Sequence, residues 1–229
     1  MPTRLFALLL AFGAPTALAA ERPVVVELFT SQGCSSCPPA DAFLTELART
    51  REDVLPLAFH VTYWNRLGWT DPHSLTVATE RQNRYADRLG EGPYTPEMVV
   101  DGRVGLVGSD RDAAEAAITA AKARRGASAA LTVERDGAGL AIKVGAGRGE
   151  ARVLLVGFDL ERRTAVARGE NKGRTLVESN IVRSIREVGR WTGAPLALDV
   201  DAPNGEEAAV LLQGRDGAIV GAARLGGSP

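Results

Sequence analysis

The sequence predicts an α/β domain followed by an all-β sandwich, and three observations carry that expectation. Up to about residue 126, apolar β-branched runs alternate with stretches of helical period. Beyond it, short β runs are separated by Gly-rich turns and the helix signals stop. Within the first part the order is β-α-β-α-β-β-α, which calls for two parallel strands and an antiparallel hairpin. The expected divisions are residues 1–19 as an export signal, 20–126 as the α/β domain and 127–229 as the sandwich. No internal repeat or low-complexity tract interrupts them.

The opening "MPTRLFALLLAFGAPTALAA" has a basic start at Arg4, an apolar run, and the small-residue pattern Ala17-Leu18-Ala19. It reads as a secretory signal peptide, because the apolar run falls short of the roughly 20 residues a membrane helix needs. The expected location is therefore periplasmic or secreted, with no membrane span after cleavage. Lys and Arg number 27 against 28 Asp and Glu, a net charge of −1. That balance leaves no electrostatic footprint for nucleic acid or for an anionic membrane.

The first strand is "PVVVELF" (23–29), a continuous apolar run suited to a strand covered on both faces, with Glu27 its one charged member. Pro38 and Pro39 sit where a helix starts without losing a hydrogen bond, and Ala40, Phe43, Leu44, Leu47 and Ala48 continue it as one apolar stripe. This helix is expected to carry the cysteines in its first turn. "DVLPLAFHV" (53–61) is the second strand. Residues 74–90 form the second helix, with Ser74 as N-cap and Gly90 as the stop.

The third and fourth strands flank Asp101-Gly102, a strong two-residue hairpin turn, and Ser109 or Asp110 caps a final Ala-rich helix. In the second part a hairpin turns at Asp136-Gly137, and "EARVLLVGFDL" (150–160) reads as a buried strand. Further strands are predicted at 163–169, 175–191, 194–203, 207–217 and 218–225.

The chain has only two cysteines, in "FTSQGCSSCPPAD" (29–41) at the first strand-to-helix junction. "CSSC" after the first strand, "YTP" before the third and "DG" in the hairpin occur in that order, and together they resemble the thioredoxin fold over residues 24–125. More narrowly, "VELFTSQGCSSCPPAD", "HVTYWNRLGW", "YTPEMVVDG" and "RGENKGRTL" resemble a bacterial family of secreted thioredoxin-like proteins of unknown function. The resemblance implies a thioredoxin-like first domain and an exported protein, with Pro96 in the place of the fold's cis-proline beside the cysteine pair. Against the family pattern, Asn65 stands where an acidic residue usually follows Tyr-Trp.

The residues support a redox reading by themselves. A cysteine at a helix N-terminus meets unpaired N–H groups and the positive end of the helix dipole, which favour the thiolate. Cys34 fits the attacking sulfur, and Cys37, one turn on, fits the resolving thiol. Ser35 and Ser36 place hydroxyl and amide donors beside them. Thr95 and Tyr94 precede Pro96, and the Thr95 backbone suits pairing with an extended substrate strand. Glu27 reads two ways: a buried acceptor for the Cys37 proton, or an exposed or ion-paired strand residue.

Tyr63 and Trp64 follow the second strand together with His60 and Trp69, either as a substrate-facing wall or as a packed cover. Arg81, Gln82 and Tyr85 read as a solvated helix face. "ARGENKGRTL" (167–176) reads as a surface loop, with docking on the redox face as the alternative.

Three functions remain open on these grounds. The first is thiol-disulfide exchange between the Cys34-Cys37 pair and exported thiol- or disulfide-bearing proteins, served by a separate redox partner and no cofactor. The second is a non-catalytic binding module with a structural disulfide. The third is periplasmic copper delivery, with His60, His73 or Met98 as additional ligands.

Overall fold

Strand β1 (Val24–Thr30) is buried at every position because it is flanked on both edges and covered on both faces. It runs parallel to β2 (Val54–His60) and antiparallel to β3 (Glu97–Val100). The computed structural model describes residues 22–124 and 129–226. The export signal (1–19) and the expected boundary at 126/127 lie outside the described residues.

Helix α1 (Pro38–Thr50) begins with its two prolines, and Cys37 is its N-cap. The cysteines thus precede the helix rather than occupying its first turn. Helix α2 (Thr76–Leu89) ends at Gly90, whose φ of 78° is left-handed. Its N-cap is Leu75, because the Ser74 hydroxyl is occupied by the Asp71 carbonyl and the Asn65 amide. The hairpin of β3 with β4 (Val104–Val107) turns at Asp101 and Gly102, both with positive φ. Helix α3 (Arg111–Ala123) is capped by the Asp110 side chain, which accepts from the Ala113 N–H at 3.1 Å.

The second part supplies β5 (Leu131–Asp136), β6 (Gly139–Val144), β7 (Ala151–Ala165), β8 (Thr175–Trp191), β9 (Leu196–Asp201), β10 (Glu207–Gln213) and β11 (Ile219–Arg224). The strand predicted at 163–169 is not separate, since β7 runs on to Ala165. Eight strands form one mixed sheet in the order β11-β10-β7-β8-β2-β1-β3-β4, and β5-β6-β9 form a second, antiparallel sheet. The join is β2 beside β8 in parallel, at Ala58 opposite Ile181. The architecture is therefore α/β with a β-rich part. The two sheets pack through Val133, Leu140, Ile142, Val153, Leu155, Val210 and Leu212, so the larger layer of the sandwich continues the sheet of the first part.

Alternation along β1 decides what each face meets. Val24, Val26 and Leu28 pack with Phe43 and Leu44 of α1 and Ile118 of α3. Val25 and Phe29 face the other way, into a core with Tyr85 and Ala78 of α2. Glu27 shares that second face. Thr30 shares the first, so the end of β1 and the start of α1 bring Thr30 and Asp41 together.

Candidate functional site

Cys34 and Cys37 are joined in a disulfide with Cα atoms 5.4 Å apart, and neither cysteine is exposed. A tight turn places them: the Cys34 N–H donates to the Ser31 carbonyl and the Cys37 N–H to the Cys34 carbonyl. The amides of Ala40 and Asp41 then donate to the Cys37 carbonyl, at 2.9 and 3.1 Å, and start the helix. Ser35 and Ser36 are exposed, and the Ser36 hydroxyl lies 3.4 Å from the Cys34 sulfur.

The other half of the chain holds the backbone of this turn. The loop between β7 and β8 lies across the cysteine turn, where Asn171, itself unexposed, donates its side-chain amide to the carbonyls of Gln32 (3.0 Å) and Cys34 (2.8 Å). Glu170 accepts from the Ser35 N–H at 3.0 Å. Trp69 supports the loop from below, since a Cβ added to Gly169 would fall 3.0 Å from the Trp69 Cβ. The stretch read as a surface loop is a strap on the cysteine turn, which was the docking alternative.

Beside the disulfide, at the carboxyl ends of β1 and β2, is a buried cluster of titratable groups. His60 Nδ1 lies 2.7 Å from Asp71 Oδ2, and His60 Nε2 lies 3.8 Å from Glu178 Oε1 on β8. Gln32 bridges the turn to this cluster, taking the Asp71 carboxylate on its N–H and donating to Glu178 Oε2 at 2.6 Å. Thr30 donates its hydroxyl to Asp41 Oδ1 at 2.7 Å. Asp41 Oδ2, Thr45 Oγ1, His60 Nε2 and Glu178 Oε1 are buried with no hydrogen-bond partner among the described residues.

Burial and the neighbouring Glu178 charge push Asp41 up to about 8. Burial opposes a charge on His60, but the neighbouring Asp71 and Glu178 outweigh it and raise the imidazole to about 9. Burial opposes the Asp71 charge too, yet His60 pulls that carboxyl down to about 2. Glu178 is raised by burial. His73, desolvated and facing the His60 charge, falls to about 4. At neutral pH the cluster thus holds an imidazolium-carboxylate pair beside a protonated Asp41.

Glu27 belongs to a different environment. It is fully buried on the α2 face, where Arg81 engages both carboxylate oxygens and the Tyr85 hydroxyl donates to one of them. Of its two sequence readings, the ion-paired one describes it. Arg81, Gln82 and Tyr85, expected on a solvated face, are buried instead: Gln213 of β10 joins Arg81 and Tyr85, while Gln82 donates to the Tyr94 carbonyl and to Glu97. A helix face this polar reads as solvated when its partner lies more than a hundred residues away.

The Thr95-Pro96 peptide is cis. Pro96 packs by the first turn of α1: a Cβ added to Gly108 would lie 3.2 Å from Ala40 Cβ and 3.4 Å from Pro96 Cβ. Trp64 donates its indole N–H to the Thr95 hydroxyl at 2.8 Å and packs on Gly33, so it links the cysteine turn to the Pro96 loop. Tyr94 offers its carbonyl to Gln82, and the Tyr63 hydroxyl donates to Gln82 at 3.2 Å. His60 is enclosed in the cluster and takes no part in a wall around the turn.

Sequence reasoning missed Asp41, Asp71, Glu178, Glu170 and Asn171. One signal was present, since Asp41 is a carboxylate set within the apolar stripe of Ala40, Phe43 and Leu44. Among the described residues no group of three or more His, Cys, Asp or Glu has the arrangement to hold a metal ion.

A family described as "Protein of unknown function (DUF1223)" matches residues 25–213. The X-ray structure of protein AGR_C_4864 from Agrobacterium tumefaciens is similar at 36% identity and a TM-score of 0.78, over 92% of this chain and 98% of that one. HBP35 of Porphyromonas gingivalis shares the fold alone, at 11% identity and a TM-score of 0.56, over 89% of this chain and 74% of that one. No curated protein matches the chain significantly.

Proposed function

The chain belongs to the DUF1223 family, of unknown function, and from its own geometry we propose that it is an exported thiol-disulfide exchange protein of thioredoxin-like build. The observation that carries this reading is the placement of its one cysteine pair. The Cys34–Cys37 disulfide spans the junction of a central parallel strand with the start of a helix, beside the Pro96 loop. A disulfide closing so short a loop contributes little to stability by the loop-length argument, which leaves reactivity as its use.

In the exchange, a partner thiolate attacks the Cys34 sulfur, the bond to Cys37 breaks, and Cys37 leaves with the electron pair and takes up a proton. The partner's second thiolate then attacks the mixed disulfide at its own sulfur. The partner departs oxidised and the Cys34-Cys37 pair is left reduced, and the reverse sequence oxidises the pair. The positive end of α1 favours the thiolates along the way. Asn171 pins the backbone of the cysteine turn, and release of this strap would free the turn for attack at Cys34.

The burial of both sulfurs favours a second reading, a binding module with a permanent disulfide. Equilibration of the protein in glutathione and dithiothreitol buffers separates the two. Exchange predicts a potential above about −300 mV, and a clip one below it. Under the exchange reading Cys34→Ala abolishes turnover and Cys37→Ala accumulates mixed disulfides with exported proteins; unchanged turnover in either variant sinks it.

A further inference from the structure

We propose that Asp41 carries the Cys37 proton during exchange, accepting it as Cys37 attacks and returning it as Cys37 leaves; this deepens the exchange reading and rests on it. Asp41 follows Cys37 by four residues, the spacing that puts two side chains on one face of a helix. Both are turned inward, Cys37 unexposed and Asp41 6% exposed. The Asp41 N–H donates to the Cys37 carbonyl, so the two are held in one helical turn.

The carboxyl has a free end. Oδ1 is fixed by the Thr30 hydroxyl, while Oδ2 is buried with no partner among the described residues. A buried polar atom is ordinarily satisfied, and this one, left open on the residue four after Cys37, is placed to take up or release a proton. Glu27, the carboxyl within β1, is unsuited, because Arg81 and Tyr85 occupy both its oxygens on the opposite face.

The groups facing Asp41 come from every neighbouring element: Thr30 on β1, His60 on β2, Asp71 after it, and Glu178 on β8. Burial and Glu178 raise Asp41 to about 8, whereas His60 and the Thr30 hydrogen bond lower it. The oxidised protein therefore holds Asp41 protonated at neutral pH, ready to give that proton to the departing Cys37 thiolate. In the other direction the Cys37 thiol passes its proton to the Asp41 carboxylate, its sulfur bonds to Cys34, and the partner leaves with the electron pair of the broken S–S bond. Protons and electrons balance with the partner thiol as the only co-reactant.

The test is a single-turnover reaction of the reduced full-length protein with a chromogenic nitrobenzoate disulfide, which releases one coloured thiolate when Cys34 attacks and a second when Cys37 resolves. Asp41→Asn preserves size and the Thr30 contact. It should leave the first release unchanged and slow the second by about 100-fold or more, with loss of its pH inflection. Glu178→Gln should shift that inflection to lower pH, a readout that a merely structural role does not move and that stands if Asp41→Asn fails to fold. A second release in Asp41→Asn at the wild-type rate and pH profile overturns the role of Asp41 alone. Wild-type protein that gives no release overturns the exchange reading with it.

Discussion

Arg81 grips Glu27 through both carboxylate oxygens in a site where neither side chain is more than 2% exposed. Gln213 of β10 and the Tyr85 hydroxyl close the network, so the pair holds α2 to β1 and to the second part of the chain. Removing one partner strands a buried charge. Arg81→Met is expected to cost about 3–5 kcal/mol in guanidinium unfolding. The Cys34–Cys37 potential should stay at its wild-type value, since the pair lies on the face away from α1; a large shift would mean that Glu27 acts on the cysteine pair.

The strap pins the backbone of the cysteine turn. Asn171→Ala deletes both amide bonds to the cysteine turn, worth about 1–3 kcal/mol together. Opening should become more frequent, and native-state reduction by dithiothreitol about tenfold faster or more. Global stability should fall much less than in Arg81→Met. An unchanged reduction rate would mean that the strap is not the barrier.

Stability should fall as the solution becomes more alkaline. The folded chain keeps a proton on Asp41 up to about 8, whereas an unfolded aspartate loses it near its model value of 3.8. Between those values the folded state binds the extra proton, so its advantage is complete at the acid end and lost as pH rises through about 8. His60 adds the same sign between its model value of 6.5 and about 9. Asp71 acts oppositely, and its contribution disappears only as pH falls from 3.8 to about 2. His73, held at about 4 against an ordinary value of 6.5, opposes this below pH 6.5, so denaturation midpoints from pH 6.5 to 9 should slope downward, and Asp41→Asn should flatten the slope and raise stability most at the alkaline end.

Gly108 marks the contact between the Pro96 loop and α1. An added methyl would lie 2.7 Å from Leu28 Cδ1 and 3.2 Å from Ala40 Cβ. Gly108→Ala should cost about 1–3 kcal/mol in thermal or chemical unfolding, because α1, β1 and the loop must all give way. A neutral result would show that Leu28 moves aside freely.

What was legible in the sequence was local. The continuous apolar run gave β1, Pro38 and Pro39 gave the start of α1, and Asp101-Gly102 gave the hairpin, each because a few adjacent residues decide the backbone. The cysteine pair and the Thr95-Pro96 loop were found in the same way. What escaped was long-range. Arg81 and Tyr85 look solvated until Gln213 of β10 joins them, and Glu178 and Asn171 sit in strand and loop text that gives no hint of the turn they reach. A two-residue period assigns faces, but it does not tell which strand will lie alongside.

The parallel pairing of β8 with β2 bears on how this chain can be divided. Ile181 sits opposite Ala58, and the Asn180 side chain donates to the Pro56 carbonyl at 2.8 Å, closing an edge that β2 would otherwise present bare. A fragment ending at residue 126 would keep the cysteines but lose Glu178, Asn171 and that neighbour, leaving an unprotected strand edge prone to self-association. Dividing the chain between its two parts would cut through one continuous sheet.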